Sequence, residues 1–513
     1  MKHQSPDTDG TQVRQAPPVL DRRTALLGAG RLAAFATLPL AAAGSAREAE
    51  DEADMKSAFR LVDGRPLTAI LAEYAAGTSF DKLPPEVREK AKKVIFDEMA
   101  CGFFGRRSPG GKLAADYAIR VGGAPEARIY GTDRRVSAAY AAMANGTAGH
   151  GDEVDGTHVV GGHPGASIVH TCTAIGARER VSGAELINAV VLGYDVGVRI
   201  VEACGGKFIV RDSKHLTSDF FYSLGTTAAA ARILKLDPAR HCHALALVTF
   251  QANGLYALYS EKRHISKSFC NGQYAFAGIS SADMAQIGLE GNEDIVGSSE
   301  GVLDAWGDGK HDIAVTQKLG TDYKIMGGNF KFYNAGYPIH TPIEAALTLV
   351  KENRISAEDI DAVLIGMPEN AMKVVDNREM HNICVQDMVA ANLARGGLRL
   401  VDYPFPEILS DPTYRRLRAA ITVSVDPELQ REFPNGRGAR VTIVTKNGVR
   451  KALRIDNPLG HSLRGEPSWD DLGRKWRGSL ADCDTDRALS IARKLDSLDD
   501  ASTLFEAFAG RNI

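Results

Sequence analysis

The hydrophobic pattern of the first two thirds of the chain predicts helices. Across 56–326, apolar residues recur at intervals of three and four between short loops marked by glycine, which is the period of amphipathic helices. Pro85 favours a helix start, and Ser182 with Glu185 predicts a capping box at another. We therefore predict that this stretch forms the first part of a large all-helical domain.

A different pattern follows. The segments IDAVLIGMP, RLRAAITVSVD and ARVTIVTKNGVRKALRID alternate apolar and polar residues as half-buried strands do. Asn447-Gly448 interrupts the last segment and predicts a hairpin with a type I′ turn. We therefore predict a mostly α fold, in which a smaller α+β lid domain at 327–461 is inserted before helices at 462–513 that return to the helical domain. The edge between two such domains is a common place for a ligand cleft.

The N-terminal pattern is typical of an export signal. Arg22 and Arg23 precede an apolar stretch that ends in small residues suited to signal-peptidase cleavage. We interpret 1–46 as a twin-arginine-type signal peptide, which predicts a periplasmic mature protein, or a cytoplasmic one if the leader is not functional. No later segment has eighteen uncharged apolar residues, so we expect no membrane association after signal removal.

Composition narrows the class of protein. The chain has 513 residues, of which 44% are hydrophobic and 24% charged, which is the balance of an ordinary globular protein. Its formal net charge of −3 gives no basic footprint for nucleic acid. Seven dispersed cysteines without a CxxC pair indicate neither a disulfide framework nor a zinc ribbon.

One segment concentrates candidate chemistry. GHGDEVDGTHVVGGHPG, at 149–165, contains three histidines, three carboxylates and many glycines, and it fits a metal site, an organic acid–base site or a plain polar loop. His158 and His163 are five residues apart with Gly161 and Gly162 between them, unlike the i, i+4 histidines of a zinc-protease helix. The acidic run also lacks EF-hand spacing. A metal is therefore not favoured, although loop ligands could still converge in space.

The motifs along the chain resemble the MmgE/PrpD family. The resemblance is carried by AYAAMANGTAGHGDEVDGTHVVGGHPGASIV, KSFCNGQYAFAGISSADMAQIGLEG, NFKFYNAGYPIHTPIEAALTL and DNPLGHSLRGEPSWDDLGRKW, and it covers essentially the whole mature chain. That family includes 2-methylcitrate dehydratase, cis-aconitate decarboxylase and an iminodisuccinate epimerase. The resemblance implies a helical domain with an α+β lid, lyase chemistry that needs no metal or organic cofactor, and a homodimer.

The resemblance also implies roles for individual residues. The acid–base histidine of the family's Thr-x5-His-Pro pattern falls on His163, and its threonine falls on Thr157. Two substrate-binding lysines match Lys267 and Lys331, and a histidine nine residues past the second matches His340. We predict that Lys267 joins His163 as a catalytic residue and that the other three bind substrate.

Two positions depart from the family pattern. DEVDGT replaces LDFDDT, so Glu153 stands for one aspartate and Gly156 for another, while Asp155 is kept. A family HPT histidine falls on Thr217, and the nearest candidate is His215, two residues away. We predict catalytic roles for Glu153 and Asp155 and a substrate-binding role for His215.

The residue types suit carbanion chemistry beside a carboxylate. Lys267 and Lys331 would stabilise the accumulating negative charge, and an imidazole that titrates near neutrality, as in His163, would move the proton. We therefore expect a cofactor-independent dehydratase or decarboxylase acting on a small di- or tricarboxylic acid such as 2-methylcitrate or cis-aconitate. The alternatives are an epimerase or isomerase of a small dicarboxylate on the same fold, and a non-catalytic periplasmic carboxylate-binding protein.

Overall fold

The computed structural model describes residues 60–251, 253–261, 265–433, 436–480 and 482–509. The signal peptide predicted at 1–46 lies outside these residues. Within them the chain is mostly helical and its strands form small sheets, which confirms the predicted fold class. No helix in the described ranges is long and apolar enough to cross a lipid bilayer.

Helices dominate the described chain from end to end. The first group comprises α1 (Leu67–Gly77), α2 (Pro85–Gly105), α3 (Pro109–Val121), α4 (Ala138–Gly149), α5 (Pro164–Glu179), α6 (Gly183–Ala203), α7 (Gly206–Lys214), α8 (Tyr222–Ile233), α9 (Pro238–Val248), α10 (Ile265–Gln286) and α11 (Val302–Trp306). The second group comprises α12 (His340–Asn353), α13 (Glu369–Val375), α14 (Val385–Arg395), α15 (Pro406–Leu409), α16 (Pro412–Ala419), α17 (Pro427–Glu432), α18 (Trp469–Trp476), α19 (Thr485–Arg493) and α20 (Ser502–Ala509).

The strands form three short ladders and one larger sheet. The ladders pair β1 (Leu61–Val62) with β2 (Arg65–Pro66), β3 (Ala127–Arg128) with β4 (Arg135–Val136), and β5 (Thr157–His158) with β6 (Gly328–Asn329). The sheet contains β7 (Ile360–Met367), β8 (Ile421–Val425), β9 (Ala439–Thr445) and β10 (Arg450–Ile455) in the order β10-β9-β7-β8. β7 and β8 are parallel, and the other two pairings are antiparallel.

Helices α2, α4, α5, α6, α8 and α10 pack around a common apolar core. The C-terminal helices join this core, since Phe508 of α20 stacks on Phe96 of α2 with ring centroids 5.5 Å apart. Small residues let the helices approach closely: a Cβ at Gly272 of α10 would lie 2.2 Å from the carbonyl oxygen of Met143 on α4. The alanine- and glycine-rich sequence therefore explains the close packing beneath the site.

The sheet and helices α12, α14 and α16 enclose a second apolar core. Buried and partly exposed residues alternate along β7 and β9, as the sequence predicts. This core includes Ile343 of α12, Val363 of β7, Val389 of α14 and Val441 of β9. The α+β part of the chain therefore has apolar packing of its own.

Two local predictions need correction. β9 and β10 form the predicted hairpin, but a type I′ turn requires positive φ at both central residues, and of Asn447 and Gly448 only the glycine has it, at +82°. The Asn447 side chain accepts instead from the Thr445 hydroxyl at 2.5 Å. Ser182 does cap α6 by accepting from the main-chain N–H of Glu185, whereas the Glu185 carboxylate binds Arg232 rather than closing a capping box.

Candidate active site

The loop between α4 and α5 carries the histidine- and acid-rich segment. It begins at His150, the residue after α4, and ends at His163, the residue before α5. Gly161 and Gly162 have φ values of +117° and +76°, which residues other than glycine rarely adopt. These conformations turn the chain sharply into α5. His163 is thereby fixed at the positive end of a 16-residue helix, where the helix dipole favours an anion over a protonated imidazole.

Asp155 connects the two histidines at the ends of this loop. Its Oδ2 accepts from Nδ1 of His150 at 2.8 Å and lies 2.8 Å from Nδ1 of His163. The same Nδ1 of His163 is 3.0 Å from the carbonyl oxygen of Gly156. A carboxylate and a carbonyl can only accept, so Nδ1 of His163 carries the proton and Nε2 carries the lone pair.

Glu153 connects the two lysines. Lys267 lies in the first turn of α10 and Lys331 follows β6, and their ammonium groups lie 3.1 Å and 2.8 Å from the two carboxylate oxygens of Glu153. Lys331 is also 3.8 Å from Oδ1 of Asp155. The β5–β6 ladder explains this convergence, because it pairs Thr157 with Asn329, two residues before Lys331. All of these side chains are buried.

Burial and the charges of neighbouring groups determine the protonation states of Glu153, Lys267 and His163. Burial alone would raise the pKa of Glu153, but the Lys267 and Lys331 ammonium groups outweigh it and hold the pKa well below its usual range. Burial would likewise lower the pKa of Lys267, but Glu153 raises it above the usual value. Burial lowers the pKa of His163 to about 4 against the opposing charge of Asp155. The imidazole of His163 is therefore a neutral base at neutral pH.

Thr157 and His340 lie beside the cluster in different ways. The Thr157 hydroxyl accepts from the Asn329 amide at 3.2 Å on the ladder itself. His340 begins α12, is fully buried, and contacts the Ala335 carbonyl oxygen through Nε2 at 3.1 Å. Burial, with help from the charge of Lys331, lowers the pKa of His340 to about 3. His340 is therefore neutral and held by the main chain, within electrostatic reach of the cluster.

The displaced histidine lies apart from this network. His215 is exposed at the C-terminal end of α7, and its main-chain carbonyl accepts from the N–H of Tyr256. Thr217, the residue at the position of the family histidine, donates its hydroxyl to Asp219 at 2.8 Å. Asp219 in turn accepts from the main-chain N–H of His163 at 2.7 Å. The connection to the site thus runs through Thr217 and Asp219.

Sequence reasoning missed three neighbours of the site. His150 matches no residue of the family motifs, but its ring centroid lies 4.3 Å from that of His163. Asp219 lacks a local signal because its role depends on the fold. Glu98 is buried on α2, and its Oε1 accepts from the N–H of Gly156 at 2.9 Å. The glycine at 156, where the family has an aspartate, is the signal that a side chain from elsewhere fills that space.

The histidine–aspartate group also has the spacing of a metal site. One ligand atom from each of His150, Asp155 and His163 lies within 4.8 Å of the others. The Asp155 carboxylate is already shared by both imidazoles, and the ammonium groups of Lys267 and Lys331 add positive charge that opposes a cation. The arrangement therefore favours organic acid–base chemistry and an anionic ligand.

Comparison with known proteins shows the family to which the chain belongs. Residues 69–313 match the MmgE/PrpD N-terminal domain and residues 333–497 match the MmgE/PrpD C-terminal domain. Human cis-aconitate decarboxylase is 23% identical over 473 residues, which cover 87% of this chain and 95% of that protein. A cis-aconitate decarboxylase of Aspergillus terreus is 24% identical over 475 residues, covering 86% and 95% respectively. Both halves of the family match in sequence order over most of the chain, which confirms the resemblance: the chain belongs to the MmgE/PrpD family.

Proposed function

We propose that this protein is a lyase that removes CO₂ or water from a small di- or tricarboxylic acid without a metal or organic cofactor. The observation that carries this proposal is the buried contact of Lys267 and Lys331 with one carboxylate, next to the His163–Asp155 pair. The similarity to proteins named cis-aconitate decarboxylase supports the lyase class and makes cis-aconitate the first substrate to assay.

The two lysines would stabilise the negative charge that the reaction creates. When CO₂ leaves, its bonding electron pair stays on carbon, and when a proton leaves next to a carboxylate the electron pair spreads onto that carboxylate. Buried, fixed ammonium groups stabilise such charge far better than water does. A substrate carboxylate would bind Lys267 and Lys331 where the Glu153 carboxylate now lies, with Glu153 turning aside.

His163 would move the proton. Its Nε2 lone pair can remove a proton from the carbon next to the carboxylate, and the imidazolium that forms can give this proton to the hydroxyl group, which leaves as water as the double bond forms. In a decarboxylation, Nε2 of His163 would first take up a proton, because the negative charge of the bound substrate raises the pKa of the imidazole, and it would then deliver that proton to the carbanion. Asp155 fixes the ring orientation and stabilises the imidazolium in either case, and such a positioned group contributes about 10²–10⁴-fold to the rate.

The test is product analysis with purified protein and the candidate acids cis-aconitate and 2-methylcitrate. We expect CO₂ or water release that falls by at least 10²-fold in His163→Asn and Lys267→Met. The control is His311→Asn, which changes an exposed histidine paired with Asp308. Full turnover in both site variants would contradict the assignment of roles.

Two other functions would give different results with the same candidate acids. An epimerase or isomerase would exchange the α-proton for deuterium in D₂O without releasing CO₂ or water. A non-catalytic carboxylate-binding protein would bind the acids in calorimetry and leave all of them unchanged. The close approach of His163 to Asp155, with its ring nitrogen Nδ1 held, supports catalysis over binding alone.

The proposal includes a homodimer formed through helices α3 and α10. Leu113, Tyr117 and Val121 are exposed on α3, and a row of rings from Tyr117 through Tyr140 leads to Phe276 on α10. Exposed apolar patches of this kind are typical of protein interfaces. We expect light scattering to give about twice the chain mass for the wild type and the monomer mass for Leu113→Glu. The control, Leu463→Glu, changes a leucine that is 72% exposed elsewhere.

A further inference from the structure

Two cations near the candidate active site have no acidic partner. Lys207 lies in the first turn of α7, and Arg437 lies just before β9. Over the part of the chain that the structure describes, neither side chain forms a salt bridge or donates a hydrogen bond. The Arg437 guanidinium lies instead over the rings of Phe208 and Phe433, 5.1 Å and 5.8 Å from their centroids. In contrast, Lys267 and Lys331 share the carboxylate of Glu153.

Lys207 contacts the histidine loop directly, and Arg437 approaches it through Tyr337. The stem of Lys207 packs on Gly161, where a Cβ would lie 2.4 Å from the lysine Cδ. Gly161 precedes His163 by two residues, so Lys207 borders the loop that presents the acid–base histidine. On the other side, Arg437 acts electrostatically on Tyr337, which also faces Thr157. Arg437 also acts electrostatically on Lys207, so the two cations lie near each other as well as near this loop.

The Tyr337 hydroxyl is a further polar group near these two cations. Its oxygen is buried and makes no hydrogen bond of regular geometry among the described residues, and Thr157 is the polar side chain that faces it. A buried polar group without a partner is costly and is rare in proteins, unless a ligand or water satisfies it. Two unpaired cations and an unpaired hydroxyl are together the donors that a carboxylate needs.

The electrostatics indicate that this group of side chains lacks an anion. Burial, with the charges of Arg437, Lys267 and Arg211, lowers the pKa of Lys207 to about 8, and Asp219 opposes the shift only in part. Burial also lowers the pKa of Arg437. Arg211 is itself bound to Asp212. Among the described residues around Tyr337, Lys207 and Arg437 thus carry positive charge that no salt bridge compensates, and a bound anion would relieve it.

We propose that Lys207, Arg437 and the Tyr337 hydroxyl form a second anion subsite, which binds a carboxylate of the substrate remote from His163. The inference rests on the proposed function, because it assigns the reacting carboxylate to Lys267 and Lys331. The planar guanidinium group of arginine matches a carboxylate in two parallel hydrogen bonds. The substrate class is then an acid with at least two carboxylates, one for each subsite.

The test is calorimetric titration with tricarballylate, a saturated tricarboxylate that cannot react by either route. We expect Lys207→Met and Arg437→Met each to weaken binding at least tenfold and to raise KM for the converted acid more than they lower kcat. The control is Lys214→Met, at the other end of α7, which should bind tricarballylate as the wild type does. Wild-type affinity in both subsite variants would overturn the subsite.

Thermal unfolding distinguishes a ligand-binding cation from a structural one. Both variants remove a partly buried charge that forms no salt bridge and keep an apolar chain of similar length, so we expect melting temperatures equal to or above that of the wild type. Melting temperatures several degrees lower, with unchanged tricarballylate affinity, would identify structural cations and overturn the subsite.

The outcomes also separate the subsite from the lyase. A wild type that binds tricarballylate through Lys207 and Arg437 but converts no polycarboxylate would keep the subsite and refute the lyase. If the wild type, Lys207→Met and Arg437→Met all convert the substrate with the same KM, the lyase proposal stands and the subsite is refuted. A wild type that does not bind tricarballylate would refute the subsite.

Discussion

The carboxyl group of Glu98 lies against Gly156, in space that a side chain at that position would also share with the Asn329 carbonyl oxygen, 2.6 Å from the place of a Cβ. Its Oε1 accepts from the Gly156 N–H at 2.9 Å and lies 2.9 Å from the place of a Cβ at that position. The carbonyl oxygen of Gly156 in turn lies 3.0 Å from Nδ1 of His163. A carboxyl group from α2 therefore fixes the main chain on which the acid–base histidine rests, at the point where this sequence lacks the third aspartate of the family's LDFDDT pattern.

We expect Glu98 to accept the hydrogen bond from the Gly156 N–H as a neutral carboxylic acid. Burial, followed by the charges of Asp155 and Asp97, raises the pKa of Glu98 well above its usual range, which favours the neutral carboxylic acid. Glu98→Gln keeps an oxygen acceptor without charge and should retain kcat within about threefold, whereas Glu98→Leu leaves the Gly156 N–H unsatisfied, at a cost of about 1–3 kcal/mol. We expect kcat to fall at least tenfold in Glu98→Leu.

Two measurements check this positioning role. NMR titration of the His163 ring should show a changed pKa in Glu98→Leu and the wild-type value in Glu98→Gln. Glu86→Leu changes an exposed acid at the start of the same helix and serves as the control. Loss of kcat in Glu98→Gln equal to that in Glu98→Leu would show that the negative charge, rather than the acceptor, matters.

Replacement of Glu153 should make stability depend on a bound anion. Glu153→Gln removes the carboxylate between two buried ammonium groups, and breaking a buried pair in this way costs about 3–5 kcal/mol. We expect a lower melting temperature that tricarballylate restores by more than it stabilises the wild type. An unchanged melting temperature without ligand would show that Asp155 alone compensates Lys331.

The lowered pKa of Glu153 also predicts an acid-dependent loss of stability. The folded-state pKa lies below the unfolded value, so the group stabilises the fold at any pH above the ordinary glutamate pKa. That contribution is lost as the pH falls from there toward the lowered value. Urea unfolding between pH 7 and pH 3 should show a steeper decline for the wild type than for Glu153→Gln, and parallel declines would contradict the assignment.

Binding of polycarboxylates should weaken in mild alkali. Lys207, with a pKa of about 8, loses its charge as the pH rises through that value, whereas the pKa of Lys267 is raised above its usual range and that group stays charged. We expect the tricarballylate dissociation constant to increase between pH 7 and pH 9 in the wild type. Lys207→Met should show a flat profile there, and an identical pH profile in both proteins would contradict the prediction.

The sequence predicts the fold well because the fold rests on local periodicity. The helical spacing of apolar residues and the alternation in β7 and β9 are repeated signals that tertiary contacts reinforce. The hairpin turn is different, since one side-chain contact from Asn447 decides its type. The Glu185 carboxylate likewise binds Arg232, 47 residues away, which a local motif cannot anticipate.

The candidate site likewise has one part that the sequence predicts and one part that it does not. Glu153, Asp155 and His163 lie on one loop, and the family motifs point to Lys267 and Lys331, so their convergence could be predicted. Glu98, Lys207 and Arg437 come from separate elements and have no motif, because their position depends on how α2, α7 and β9 pack around that loop. Such contributions follow only from the tertiary structure.

The packing of α10 against α4 should control the position of Lys267. A Cβ at Gly272 would lie 2.2 Å from both the Met143 carbonyl oxygen and the Thr147 hydroxyl, so Gly272→Ala must move α10, which carries Lys267 one turn earlier. We expect a loss of about 1–3 kcal/mol in the free energy of unfolding and a raised KM, because the ammonium group moves relative to Glu153. The control is Gly77→Ala at the end of α1, where a Cβ meets open space. If both variants unfold and turn over alike, the close contact does not position Lys267.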